Sequence, residues 1–126
     1  MEPFTVDRID HVEVLVDDLE RAAAWYRAAL GLTEVRRWSP EPVMIGAGGS
    51  MLALFRAGTR SAVAPRDEAP HWHRVAWHTT PVGFDAAQRH LRALAIAFRG
   101  PVDHGAAHSI YFTDPDGNRL EITCYP

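Results

Sequence analysis

Apolar and polar residues alternate at period two along residues 8–16. Val12, Val14 and Val16 fall on one face, with His11, Glu13 and Leu15 on the other. That is the pattern of a half-buried strand. Asp17-Asp18 follows, and the period changes. Leu19, Ala22, Ala23, Tyr26 and Leu30 recur at helical spacing, with Asp18 placed to cap the start and Gly31 to end it. Strands are expected next at 32–38, at 43–45 after Pro40 and Pro42, and at 50–56 beyond the Gly46–Gly49 turn. Residues 57–70 carry Gly, Pro, Ser and mixed charge without periodicity and read as a connection.

The second half repeats the first. A strand is expected over 73–80, and a helix over 84–95 from the spacing of Phe84, Ala87, Leu91 and Leu94. A strand starts at 96–99, and a loop containing Gly100-Pro101 runs to His104-Gly105. The last hairpin has β-branched and aromatic residues from Ile110 to Phe112, the turn Asp114-Pro115-Asp116-Gly117, and alternation from Arg119 to Cys124. Its period puts Ile110, Phe112, Leu120, Ile122 and Cys124 on one face and Tyr111 and Glu121 on the other. The helix ends Ala28-Ala29-Leu30-Gly31-Leu32 and Arg92-Ala93-Leu94-Ala95-Ile96 correspond 64 residues apart. The pattern implies an α+β protein of one domain over residues 1–126. Two βαβββ modules, about 6–56 and 72–126, are joined by about 57–71 and form a mixed curved sheet. The helices lie on its convex side, and its concave polar face is the place for a ligand.

Length and composition narrow the function. The chain has 126 residues, 47% hydrophobic, enough for one core. A net charge of −3 leaves no footprint for nucleic acid. No apolar run nears the roughly 20 residues of a membrane span, and no signal-peptide pattern opens the chain. One cysteine, Cys124, excludes an intrachain disulfide and agrees with a cytoplasmic setting. Seven histidines and four tryptophans supply ligand-type and stacking side chains. Trp25 and Trp77 are expected in the core, and Trp38 and Trp72 at a pocket or subunit contact. His71, His90 and His108 are expected to be structural or on the surface.

The repeat, with Ile9-Asp10-His11-Val12-Glu13-Val14, Ala24-Trp25-Tyr26, Leu30-Gly31-Leu32 and Tyr111-Phe112 through Glu121, resembles the vicinal oxygen chelate superfamily. That group includes glyoxalase I, type I extradiol dioxygenases, fosfomycin-resistance transferases and metal-free bleomycin-binding proteins. The resemblance covers nearly the whole chain. It implies a homodimer acting on a small molecule, with His11 as first metal ligand and Glu121 as last. The position of a further ligand falls at Ala53, which cannot coordinate. Two histidines and a carboxylate would suit Fe(II) or Mn(II) and oxygenase chemistry on a catechol-like diol. The gapless match through Val75-Ala76-Trp77, however, puts Arg74 in the second histidine's place, and a guanidinium offers no lone pair. His73 could replace it only through a bulge that shifts the register. His78 has the parity but lies roughly 13 Å along the strand. The alternative is a metal-free binding protein that holds an aromatic or anionic ligand against Arg74, Trp72 and Phe55. Gly100-Pro101-Val102-Asp103-His104-Gly105, with Tyr111 ten residues before Glu121, also resembles the extradiol enzymes and implies that His104 and Tyr111 handle protons.

Overall fold

The structure is a computed structural model that describes residues 3–58 and 72–126. Most of the expected connection, and His71, lie outside the described residues. The chain divides into two compact units, Met1–Gly58 and Thr59–Pro126. Each is one βαβββ module.

The first unit contains β1 (Val12–Val16), α1 (Leu19–Leu30), β2 (Thr33–Arg37), β3 (Val43–Ala47) and β4 (Ser50–Arg56). Its sheet runs β1-β4-β3-β2, with β1 parallel to β4 and the other neighbours antiparallel. The alternation read in the sequence sorts β1 as expected: Val14 and Val16 are buried, Glu13 and Leu15 exposed. Residues 8–11, expected to begin this strand, precede it. Asp18 caps α1 by accepting from Arg21 N–H. Gly31 ends the helix at φ 67°, with its own N–H and that of Leu32 closing back on Arg27 and Tyr26 carbonyls. The buried stripe of Leu19, Ala22, Ala23, Tyr26 and Ala29 packs on β3 and β4, where Val43, Ile45, Leu52 and Leu54 are also buried.

The second unit contains β5 (Val75–His78), α2 (Pro81–Ala93), β6 (Arg99–Asp103), β7 (His108–Thr113) and β8 (Arg119–Cys124). Its sheet, β5-β8-β7-β6, repeats the first, with β5 parallel to β8. α2 starts three residues before the apolar period does, because Thr80 caps it by accepting from Gly83 N–H and Pro81 supplies a preset φ. Leu94, expected on its apolar face, is 42% exposed just beyond the last turn. Ala95 takes φ 57°, the left-handed conformation that Gly31 takes 64 residues earlier. Ile110, Phe112, Leu120, Ile122 and Cys124 are buried as their parity required. Trp25 and Trp77, expected in the core, are only half-buried.

The stretch 99–103 corrects the sequence reading. It is a strand, not a loop. Arg99 pairs with Tyr111 and Val102 with Ser109, so β6 spends one residue more than β7 and bulges between them. Gly100 sits in the bulge at φ +113°, where a Cβ would lie 2.8 Å from the Ser109 carbonyl oxygen. Glycine allows this approach, and the bulge sets Arg99 across from Tyr111.

Among the described residues no helix is long and apolar enough to cross a membrane.

Candidate functional site

The turn that closes the last hairpin is built by Asp114, which is 3% exposed. Its carboxylate accepts from the N–H of Asp116 and Asn118 (both 2.9 Å) and from the Asn118 side-chain amide (2.8 Å). This anchors the hairpin register. Within that register Tyr111 and Glu121 are direct cross-strand partners.

The polar face of the second unit's sheet collects around Tyr111. The guanidinium carbons of Arg74 and Arg99 lie 4.4 and 4.5 Å from the centre of its ring. Arg74 comes from the β5 side of the sheet and Arg99 from β6. The Tyr111 hydroxyl and His104 Nε2 are 2.6 Å apart, and either group donates according to the imidazole tautomer. Glu121 Oε2 accepts from the Ser109 hydroxyl at 2.7 Å. Five residues named from the sequence therefore lie in one unit. Arg74, Tyr111, His104 and Glu121 meet on this face, and His73 adjoins Arg74. Arg99 and Ser109 were not foreseen. Ser109 shares parity with Tyr111, so its place was available in the sequence. Arg99 was hidden by the bulge.

Trp72, expected to wall a pocket, is 96% exposed. Phe55 is a half-buried residue of β4 in the first unit. His11 also belongs to the first unit. Its Nδ1–H donates to Asp10 (2.8 Å) and its Nε2–H reaches Glu13 (3.3 Å). The Asp10 hydrogen bond, then that of Glu13, raises its pKa above the ordinary 6.5 and favours the imidazolium. Asp10 is lowered in return, chiefly by the same hydrogen bond. In the first unit a cavity of about 370 Å³ opens beside Glu20, Arg37 and Arg56, but Arg37 is already bound by Glu20 and Glu34.

The two-histidine, one-glutamate metal set does not fit the second unit as it stands. The strand registers are equivalent: Glu13 pairs with Ala53 in the first unit and Ala76 with Glu121 in the second. Arg74, two residues before Ala76, is thus the counterpart of His11, two residues before Glu13. The β5–β8 register runs without a shift over Val75–His78, and His73 and Arg74 precede the paired residues. His73 is itself engaged. Its Nδ1 is 2.9 Å from Arg119 and its Nε2 3.1 Å from Arg74. A neutral imidazole has one acceptor nitrogen, and here it faces donors on both sides. A metal ligand needs that lone pair. Among the described residues no group of three or more His, Cys, Asp and Glu side chains could hold a metal ion.

The chain belongs to the Glyoxalase/Bleomycin resistance protein/Dioxygenase superfamily, whose pattern it matches over residues 8–122. It is 29% identical to virulence protein STM3117 of Salmonella typhimurium, over 95% of this chain and 85% of that one. It is 27% identical to glutathione transferase FosA of Serratia marcescens, over 90% of this chain and 78% of that one. Among solved structures it resembles a glyoxalase/dioxygenase from Nostoc punctiforme, with a TM-score of 0.81, 26% identity and coverage of 100% and 96% of the two chains.

Proposed function

We propose that the chain binds a small organic anion on the polar face of the second unit's sheet, with Arg74 and Arg99 holding the anionic group. The observation that carries the reading is Arg74 itself: it stands at the counterpart of His11, on a guanidinium that has no carboxylate partner among the described residues. Its Nε is buried without a hydrogen-bond partner. Arginine forks match carboxylates and phosphonates in a way a metal-ligating histidine does not. In this reading the metal ligands expected at His11, His73 and Glu121 have other work, and Fe(II) or Mn(II) is not required.

The second reading, an oxygenase acting on a catechol-like diol, draws on the His104–Tyr111 contact. That pair serves equally to pass a proton to an anion held by the arginines. Assembly as a homodimer in the cytoplasm belongs to the same proposal and rests on the family and on the single cysteine.

The test is the melting temperature of chelator-treated protein. Small carboxylates and phosphonates should raise it; a ligand at 100 times its Kd stabilises by about 2.7 kcal/mol. Arg74→Met should lose the shift. A rise with Mn(II) or Fe(II) and none with any organic anion would overturn the reading.

A further inference from the structure

We infer that the ligand carries an ammonium group beside its anionic group, as a small amino acid does. This rests on the anion reading above and adds what Glu121 demands.

Glu121 stands directly across from Tyr111, the ring on which both guanidiniums lean. Opposite charges gathered at one cross-strand pair ordinarily bond to each other. Here they do not. Among the described residues Arg74 and Arg99 form no ion pair, and Glu121 has one partner, the neutral hydroxyl of Ser109. The carboxylate is held in that state. Ser109 is 1% exposed and pairs with Thr123 in the register. Its one proton goes to Glu121, the stronger acceptor. The Thr123 hydroxyl lies 3.1 Å from Ser109 Oγ and 3.2 Å from the His108 carbonyl, so it has acceptors of its own. The result fixes Oε2 against the sheet and leaves Oε1 without a protein partner among the described residues.

A plain carboxylate seated on the two arginines would therefore lie beside a second negative charge. Half-buried, that repulsion is poorly screened. An ammonium next to the ligand's carboxylate reverses its sign: the anion takes the guanidiniums, and the amine donates to Glu121 Oε1. A hydroxyl would donate too, but without the charge that makes such bonds strong. Ser109 is a positioning residue in this arrangement, since it acts only through Glu121.

The experiment is calorimetric titration of the chelator-treated full chain with two matched series: propionate, lactate and alanine; phenylacetate, mandelate and phenylglycine. The amino acid of at least one series should bind about tenfold or more tighter than its parent acid, with the hydroxy acid between. Glu121→Gln should erase the preference, weakening the amino acid and strengthening the parent acid. Ser109→Ala, a smaller change to the fold, should narrow it in the same direction. Parent acids that bind as tightly as their amino acids would overturn this inference and leave the anion reading standing. Binding by none of the six would overturn this inference, while the anion reading is decided separately by the melting-temperature series with phosphonates.

Discussion

The guanidinium carbon of Arg74 lies 4.4 Å from the centre of the Tyr111 ring. The planar cation thus rests on an aromatic face rather than on a carboxylate, which keeps its charge available. Lysine would keep the charge but lose the planar fork and its stacking. Arg74→Lys should therefore weaken carboxylate binding by about tenfold, and Arg74→Met by more, read by calorimetry on chelator-treated protein. Equal binding by parent and Arg74→Lys would show that only charge matters there.

Ala95 should be replaceable to advantage. It holds φ 57° at the position where the first module has Gly31. Left-handed backbone costs an L-residue about 1 kcal/mol, and glycine avoids most of it. Ala95→Gly should stabilise by about 0.5–1 kcal/mol in urea unfolding, whereas Gly31→Ala should destabilise by about 1 kcal/mol. A loss of stability in Ala95→Gly would mean that packing, not backbone strain, decides the site.

The hairpin turn depends on one carboxylate. Asp114→Ala removes a buried acceptor that takes hydrogen bonds from the N–H of Asp116, the N–H of Asn118 and the Asn118 side-chain amide. The expected cost is about 2–3 kcal/mol by denaturant unfolding. Because the same register pairs Tyr111 with Glu121, ligand binding should fall with it.

The fold was legible because each module is written in clean periods. Val12, Val14 and Val16 fixed the face of β1; Leu120, Ile122 and Cys124 fixed that of β8; and the 64-residue repeat reappears in the left-handed backbone shared by Gly31 and Ala95. What escaped was set by single residues that break a period. Thr80-Pro81 opens α2 before its apolar stripe begins, and the Gly100-Pro101 bulge turned an expected loop into a strand that presents Arg99. In the site, parity delivered Tyr111 opposite Glu121, and the gapless match delivered Arg74. The partners of His73 were out of reach, because contacts with Arg119 across the sheet leave no mark on local spacing.

His11 should titrate above its ordinary 6.5, because Asp10 and then Glu13 stabilise its charged form. Asp10 should titrate below its ordinary 3.8 for the same reason. The sign follows from linkage. The raised His11 adds stability that is whole below 6.5 and fades as pH rises through its folded value. The lowered Asp10 adds stability that is whole above 3.8 and fades as pH falls through its folded value. The interaction is therefore complete between these limits. An NMR titration of the His11 ring should show the raised midpoint, and Asp10→Asn should bring it down. A midpoint at or below 6.5 in the parent would exclude the hydrogen bonds of His11 to Asp10 and Glu13.

The most direct measurement is metal content. Purified protein would be loaded anaerobically with Fe(II), Mn(II), Ni(II) or Zn(II), desalted, and analysed by mass spectrometry beside His11→Ala. The expected result is no stoichiometric metal in either protein, with organic anions still bound by the parent. About one metal per chain, lost in His11→Ala, would contradict the account: Arg74 would then stand beside a working metal site rather than in place of one.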